Sequence, residues 1–555
     1  MNPSTAFARV FVDELTRCGV REAVLAPGSR SAPLALALAA GDVRLHVRHD
    51  ERSAAYLALA LAKVSRRPVP VVCTSGTAVA CLHGAVLEAS HAGVPLLAVT
   101  ADRPPELHET GANQTTDQAG IFGAAPRWAC DLGVPEERAG AVAYWRSVAA
   151  RACAMALVAD NPGPVHLNVP LREPLVPDGD EQWPEDLDGR PERRPWVFVD
   201  ERPPAASVLT EPPERGVVLA GEGCTDPDAA RRLAEALGWP LLSEPNGDAR
   251  DGANAVGTYP LLLADEAFAG AHRPDLAVVI GKPGLSRSVL AWLRTAGTQV
   301  VVGSTDRFGD PTRTAVRVLP SIPAPEVRRP VTAWLRSWQT ADAAARTALD
   351  AVLDETEELT EARIARDLTA ALPDGSVLFA GSSRPIRDLE AYAVPRAGVR
   401  VLGNRGLSGI DGSVSSAVGT ALAHQRAGGG HGYALLGDLA VLHDVSGLAV
   451  PREDPRVDLT LVVVDNDGGG IFSMLEQASE PAFERVFGTP HGLDLCEVIS
   501  AYGVPVTPVA KADDLRDALV PAPGLRAVVV RTDRADNAAT HRRLQAAVSA
   551  ALSRP

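Results

Sequence analysis

Two strings of this chain are the best suited to chemistry: Gly437-Asp438-Leu439 and Val464-Asp465-Asn466-Asp467-Gly468-Gly469-Gly470. The Asp438 carboxylate, the Asn466 amide oxygen and the Gly468 backbone carbonyl are hard oxygen donors. Such donors suit Mg2+ (or Mn2+), which is near-octahedral and completes its shell with phosphate oxygens and water. The apolar runs Tyr433 to Leu436 and Leu459 to Val464 end at these strings. Both strings therefore read as turns at the carboxyl ends of parallel strands, the edge where open α/β sheets bind ligands. A helix starting near Leu439 would offer N–H groups and a favourable dipole to a diphosphate. Each string alone is an ordinary turn. Their separation, 28 residues from Asp438 to Asn466, spans one strand–helix–strand unit and makes the pair a site candidate.

That spacing resembles the thiamine-diphosphate motif, a Gly-Asp pair followed at about this interval by an asparagine-bearing turn, with Leu439 in place of the usual third glycine. The cofactor carries carbanion chemistry and the protein tunes it. It needs one domain for its diphosphate and metal and another for its pyrimidine ring, with a carboxyl group at ring atom N1′. Glu51, in His49-Asp50-Glu51-Arg52-Ser53, is the candidate, followed after the next strand by Thr74-Ser75-Gly76-Thr77. A glutamate in a helix's first turn usually just complements the macrodipole. The distal metal string is what raises Glu51 above that reading.

Regular alternation must place these residues. Ser4 or Thr5 is positioned to cap a helix carrying Phe7, Val10, Phe11 and Leu15, with Gly19 at its end. Strands are expected at 23–26, 43–47, 69–73, 95–100 and 165–169, with helices over 51–63 and 76–88 between them. Apolar strands alternating with amphipathic helices imply a parallel sheet covered on both faces. The stretch from Glu173 to Arg215 is rich in Pro, Asp, Glu and Arg and reads as a linker, with one short packed segment at Trp196-Val-Phe-Val199. A second α/β unit has strands at 216–220, 276–280 and 299–302. A third has strands at 377–380, 433–436, 459–464 and 527–530. The fold class is thus α/β, three consecutive doubly wound parallel-sheet domains: 1–178, a linker over 179–215, a central domain over 216–335, a connecting segment over 336–359 and a last domain over 360–555.

The composition agrees. The 555 residues are 46% hydrophobic and 22% charged, an ordinary globular balance that excludes a largely disordered chain. Net charge is −15, which repels phosphate backbones and anionic lipid headgroups, so nucleic-acid binding is disfavoured. Lysine occurs only at 63, 282 and 511, so nearly all basic residues are arginines, a bias that a GC-rich genome accounts for first and that also supplies the better group for two-pronged grip on carboxylates. The seven cysteines lack CxxC spacing and read as reduced core residues. The first residues lack a signal-peptide order, and no apolar run is long enough to span a bilayer. The expectation is a cytoplasmic protein with no membrane partner.

Further strings carry a closer resemblance along nearly the whole chain. They are Ala26-Pro-Gly-Ser-Arg-Ser-Ala-Pro-Leu34, His49-Asp-Glu-Arg-Ser-Ala54, Thr100-Ala-Asp-Arg-Pro-Pro-Glu-Leu107, Gly111-Ala-Asn-Gln-Thr-Thr-Asp-Gln118, Asn404-Arg-Gly-Leu-Ser-Gly-Ile-Asp-Gly412, Gly468-Gly-Gly-Ile-Phe-Ser473 and Arg531-Thr-Asp-Arg-Ala-Asp-Asn537 with His541-Arg-Arg543. Together they resemble the 2-succinyl-5-enolpyruvyl-6-hydroxy-3-cyclohexene-1-carboxylate synthases, the MenD family of menaquinone biosynthesis. The resemblance implies pyrimidine, central and diphosphate domains, and a homodimer or homotetramer with active sites shared between chains. It implies decarboxylation of 2-oxoglutarate on thiamine diphosphate, then 1,4-addition of the carbanion equivalent to isochorismate, a transferase reaction.

By resemblance, Ser29, Arg30, Arg103 and Gln114 match the isochorismate side, Ser383, Arg387 and Arg405 the 2-oxoglutarate side, and Asn113 is a further substrate-binding candidate. Arg287 matches a basic substrate contact in the central domain. Ile471, Phe472 and Leu475 either wall the thiazolium pocket or are ordinary core. His431 and His443 match no role and read as structural. Two rivals stand beside this reading. An acetolactate-synthase-like carboligase would usually have a flavin site in the central domain, for which Gly281-Lys-Pro-Gly284 gives no support. A non-catalytic cofactor-binding relative would not need Glu51.

Overall fold

The computed structural model describes residues 1–200, 204–303 and 307–553. Positions 201–203 of the expected linker, 304–306 of the expected central domain and 554–555 at the end of the last lie outside the described residues. The chain builds three consecutive sheets in which every strand pairing is parallel.

The first sheet contains β1 (Glu22–Leu25), β2 (Arg44–Val47), β3 (Val69–Cys73), β4 (Leu96–Asp102), β5 (Trp128–Asp131) and β6 (Val165–Pro170). Its order is β2-β1-β3-β4-β6-β5. The second contains β7 (Gly216–Ala220), β8 (Leu241–Ser243), β9 (Leu276–Ile280), β10 (Thr298–Val302) and β11 (Ala315–Leu319), in the order β11-β10-β9-β7-β8. The third contains β12 (Ser376–Ala380), β13 (Val399–Leu402), β14 (Gly432–Gly437), β15 (Leu459–Asp465), β16 (Val506–Val509) and β17 (Leu525–Arg531). Its order, β13-β12-β14-β15-β17-β16, repeats that of the first sheet strand for strand. In both, the chain reverses its direction of winding beside the first strand (β1 or β12), which opens a crevice at the carboxyl ends of the strands.

By packing, the molecule forms two compact units. One holds the first sheet together with Asn404–Ala427 and Asp444–Val457; the other holds the second and third sheets. The helix Glu51–Ser65 shows why those later segments join the first sheet. It is buried all round from Ser53 to Ala62, because the helix Ser413–Arg426 covers its outer side. Two glycines permit the approach: a Cβ on Gly412 would sit 2.0 Å from the Tyr56 ring, and one on Gly419 2.7 Å from the Leu57 carbonyl.

Several local expectations change. Asn2, not Ser4 or Thr5, caps the first helix, Pro3–Arg17, accepting a hydrogen bond from the Thr5 amide at 2.9 Å. Proline with its fixed φ then opens the helix, which leaves Ser4 and Thr5 inside it. The expected helix over 76–88 is two, Thr77–Cys81 and His83–Ala92, joined at Leu82. Val197, Phe198 and Val199 are exposed, so the expected packed segment is not one; the linker instead anchors through Trp183 and Leu187 on the first core. All seven cysteines are free, as expected, but only Cys73, Cys153 and Cys224 are core: Cys18, Cys130 and Cys496 are half-buried and Cys81 is exposed.

Candidate active site

In the third sheet, β14 delivers Asp438 and the adjacent β15 delivers Asn466 at the same edge. The Asp438 side chain organises the turn beside it. Its Oδ2 accepts the backbone amides of Asn466 at 3.1 Å and Gly468 at 2.8 Å, and its Oδ1 accepts that of Leu439 at 2.6 Å. Burial raises the Asp438 carboxyl above its ordinary range, against the opposing pull of the Gly468 and Leu439 amides. The turn depends on glycine. Gly468 has φ +134°, and a Cβ there would lie 2.0 Å from the Gly488 carbonyl. A Cβ on Gly470 would lie 2.6 Å from Asn466 Nδ2.

Asn466 is buried, and its Nδ2 donates to Glu361 Oε1 at 2.8 Å. Its Oδ1 has no hydrogen-bond partner among the described residues. A buried carbonyl oxygen left so is costly unless something electropositive meets it. Together with the Asp438 carboxylate, this oxygen fits a hard divalent cation, so the residues present suit the ion the spacing implied. Half-buried Ile471, Phe472 and Leu475 lie on and beside the short turn Gly470–Met474, with the Phe472 and Phe487 rings 5.7 Å apart. They are not sealed core.

Three residues that the spacing did not point to stand at this site. Asp465 and His491 each have a ligand atom grouped with one from Asp438, all within 4.8 Å of one another. His491 Nε2 lies 3.4 Å from Asp438 Oδ2 and 3.7 Å from Asp465 Oδ1. Its backbone amide and that of Gly492 are held by Asp467 Oδ1 at 2.9 and 2.8 Å. The third is Glu361, the first residue of the helix Glu361–Ala371. Burial pushes its carboxyl up to about 7, with Asp388 adding to the effect. Asp465 was within the asparagine string; His491 and Glu361 carried no spacing signal.

In the first sheet, Glu51 opens the helix Glu51–Ser65, as expected, and Asp50 caps it through the amides of Arg52 at 2.9 Å and Ser53 at 3.2 Å. The Ser53 hydroxyl donates to buried Asp444 at 2.8 Å, and Ser446 donates to Asp50 at 2.7 Å, which fixes the turn carrying Glu51. Glu51 is half-buried, and its charge reaches the edge of β3: after burial itself, it is the next cause of the raised Cys73 thiol.

Thr74, Ser75 and Gly76 follow β3 and are all buried. Gly28 packs on Thr74 so closely that a Cβ would meet it at 2.3 Å. Gly76 has φ +81°, and its amide donates to Gln118 Oε1 at 2.8 Å. The Ser75 hydroxyl bonds the Gln114 carbonyl and accepts from Arg103 Nη1, each at 2.9 Å. Ser29, Asn113 and Gln114 are exposed, and Arg103 is half-buried.

Arg30 is buried, its Nη1 on the Leu171 carbonyl at 2.8 Å, with Nε lacking a hydrogen-bond partner among the described residues. Burial lowers its pKa, and the neighbouring Arg103 charge adds to that. Glu173, whose Oε1 lies 3.7 Å from Arg30 Nη2, and Asp102 pull the other way.

The remaining candidates divide between the units. Arg405 belongs by packing to the unit of the first sheet, next to Gly406 and Leu407, whose amides are both held by Glu88 at 2.6 Å. Ser383 and Arg387 follow β12 in the other unit. Ser383 has φ +73°, a strained value for a non-glycine residue, and its carbonyl accepts from Arg387 Nη1 at 2.7 Å. Arg287 is exposed at the start of the helix Arg287–Leu293, after β9.

Two sheets of identical winding, one presenting a carboxylate at a helix start and the other a candidate cation site beside a glycine turn, have the arrangement a thiamine-diphosphate-dependent enzyme needs. Family models agree. Residues 5–121 match the N-terminal TPP binding domain of thiamine pyrophosphate enzymes, 196–380 their middle domain and 390–530 their C-terminal TPP binding domain. Over full length the chain is 57% identical to a 2-succinyl-5-enolpyruvyl-6-hydroxy-3-cyclohexene-1-carboxylate synthase of Thermobifida fusca, with all of both chains covered. Synthases of the same name from Saccharopolyspora erythraea (48% identical, all of both chains) and Rhodococcus erythropolis (43%, covering 96% of this chain and 97% of the relative) are also similar. The chain belongs to the family of 2-succinyl-5-enolpyruvyl-6-hydroxy-3-cyclohexene-1-carboxylate synthases, and it is a thiamine-diphosphate-dependent transferase. Among the described residues, no helix is long and apolar enough to cross a membrane.

Proposed function

We propose that this chain decarboxylates 2-oxoglutarate and adds the resulting succinyl carbanion equivalent 1,4 to isochorismate, a step of menaquinone biosynthesis in the cytoplasm. Thiamine diphosphate, when bound, supplies the electron sink that loss of CO2 from a 2-oxo acid requires. Asp438, Asn466 and the Gly468 carbonyl hold Mg2+ (or Mn2+), with Gly437 and Leu439 beside the diphosphate. Ile471, Phe472 and Leu475 wall the thiazolium ring. Glu51 holds a proton at pyrimidine N1′, with Thr74, Ser75 and Gly76 lining that end.

Ser29, Arg30, Arg103 and Gln114 orient isochorismate, and Asn113 is a further substrate contact. Ser383, Arg387 and Arg405 orient 2-oxoglutarate, and Arg287 adds a further positive charge. Bidentate guanidinium contacts fix the carboxylates and so align the carbons that bond. Water must be kept from the reacting carbon before condensation. The domains run over 1–178, 216–335 and 360–555, and the protein works as a homodimer or homotetramer, each active site shared between copies.

The observation that carries this reading is that Arg103, from the end of β4, reaches the Ser75 hydroxyl after β3 at 2.9 Å, in a family whose members are named as synthases of a cyclohexene carboxylate. The test is incubation with 2-oxoglutarate and isochorismate, with and without thiamine diphosphate and Mg2+, and mass spectrometry of the product. The expected result is one condensed product, dependent on both additions. CO2 release without condensation, or condensation without the cofactor, refutes the assignment.

A further inference from the structure

We infer that Glu361 is a positioning residue, one that holds the Asn466 amide by its nitrogen so that the amide oxygen is left to the divalent cation. The inference rests on the proposed role of Asn466 as a ligand. Its basis is the direction of the one side-chain bond that Asn466 makes. Glu361 Oε1 accepts from Nδ2 at 2.8 Å and also takes the Thr532 hydroxyl at 3.3 Å. An amide carries oxygen and nitrogen on opposite sides of one planar carbon, so an acceptor on the nitrogen settles which way the oxygen faces.

Both partners are held. Glu361 is 3% exposed and begins a helix that Thr360 caps through the Arg363 amide at 3.2 Å. Asn466 is 9% exposed, its backbone amide is fixed by Asp438 at 3.1 Å, and Gly470 leaves its Nδ2 room. The outcome is the buried Oδ1 with no hydrogen-bond partner among the described residues. Orienting partners behind a metal ligand commonly change metal affinity or activity about 10- to 100-fold when removed.

The experiment measures Mn2+ affinity, by loss of the free-ion electron paramagnetic resonance signal, in the full chain with saturating thiamine diphosphate. The variants are Glu361→Gln, Asn466→Ala, Asn466→Asp and the double variant Glu361→Gln with Asn466→Asp. Glu361→Gln can present either a donor or an acceptor, so it should weaken Mn2+ binding about tenfold or more. Asn466→Asp has two equivalent oxygens and nothing to orient. In that background the same Glu361→Gln change should leave affinity unchanged or improve it.

An equal loss in both backgrounds makes Glu361 merely structural and overturns the inference. So does an unaltered affinity for Glu361→Gln where Asn466→Ala weakens binding. If Asn466→Ala itself leaves Mn2+ binding unchanged, the ligand role of Asn466 falls, and this inference with it. Should Glu361→Gln fail to fold, a Mn2+-bound crystal structure of the unaltered chain decides: Oε1 stays within hydrogen-bond distance of Nδ2, and a carboxylate withdrawn from the amide refutes the idea.

Discussion

Removing the Asp438 side chain should loosen the 466–468 turn even before any cofactor is added. Asp438 accepts two amides from that turn, Asn466 at 3.1 Å and Gly468 at 2.8 Å. Asp438→Ala leaves both without their acceptor in a buried place. At about 1–2 kcal/mol for each such group, the local cost is about 2–4 kcal/mol. With about 1.4 kcal/mol per tenfold, amide hydrogen exchange at Asn466 and Gly468 in the cofactor-free chain should quicken roughly 30- to 1,000-fold.

Asp438→Asn is the control. Its remaining oxygen can still serve those two amides, so exchange at Asn466 and Gly468 should rise less than about tenfold, while the Leu439 amide, which donates to Oδ1 in the parent, loses its acceptor. Both variants should lose Mg2+-dependent cofactor binding, since neither keeps the carboxylate. The assay is exchange followed by mass spectrometry of peptides covering 459–470, with cofactor titration beside it. Protection in Asp438→Ala equal to the parent's would refute the reasoning, because the turn would then not hang on this side chain.

Three further outcomes are expected. Glu51→Gln should cut CO2 release from 2-oxoglutarate at least about a hundredfold while calorimetry still detects thiamine diphosphate binding; an active variant removes Glu51 from the chemistry. Gly412→Ala combines φ +58° with a Cβ 2.0 Å from the Tyr56 ring, so it should lower apparent stability in urea by about 2–5 kcal/mol, and a change below about 0.5 kcal/mol would show that the helices can separate freely. Burial pushes His166 down to about 4 from its ordinary 6.5, so between those values the unfolded chain binds a proton that the folded chain refuses. Stability is therefore lost as pH falls through that window, by up to about 3 kcal/mol from this group, and His166→Gln should flatten the acid-side decline; a decline as steep as the parent's would clear His166 of it.

The strands that carry the site were legible because they are buried on both faces. β3, β4, β14 and β15 are nearly unbroken apolar runs, the pattern of central parallel strands. Other strands carry little such signal, β5 and β11 among them. Val399-Arg-Val-Leu402 and Val506-Thr-Pro-Val509 are short, half-exposed edges, and β8 is three residues long. The shared winding of the first and third sheets was equally hidden, since hydrophobic alternation says that strands exist but not which strand lies beside which.

From its residues alone the chain declared its class, its family and the two strings that hold a carboxylate and an amide at neighbouring strand ends. Those features are local: a turn needs its glycines, a parallel strand its unbroken apolar run. Tertiary structure alone decided that Asn404–Ala427 packs with the first sheet, that His491 comes to rest beside Asp438, and that Glu361 meets Asn466 across 105 positions of chain. Such meetings arise from how whole helices and sheets close on one another, and no spacing within a single segment encodes them.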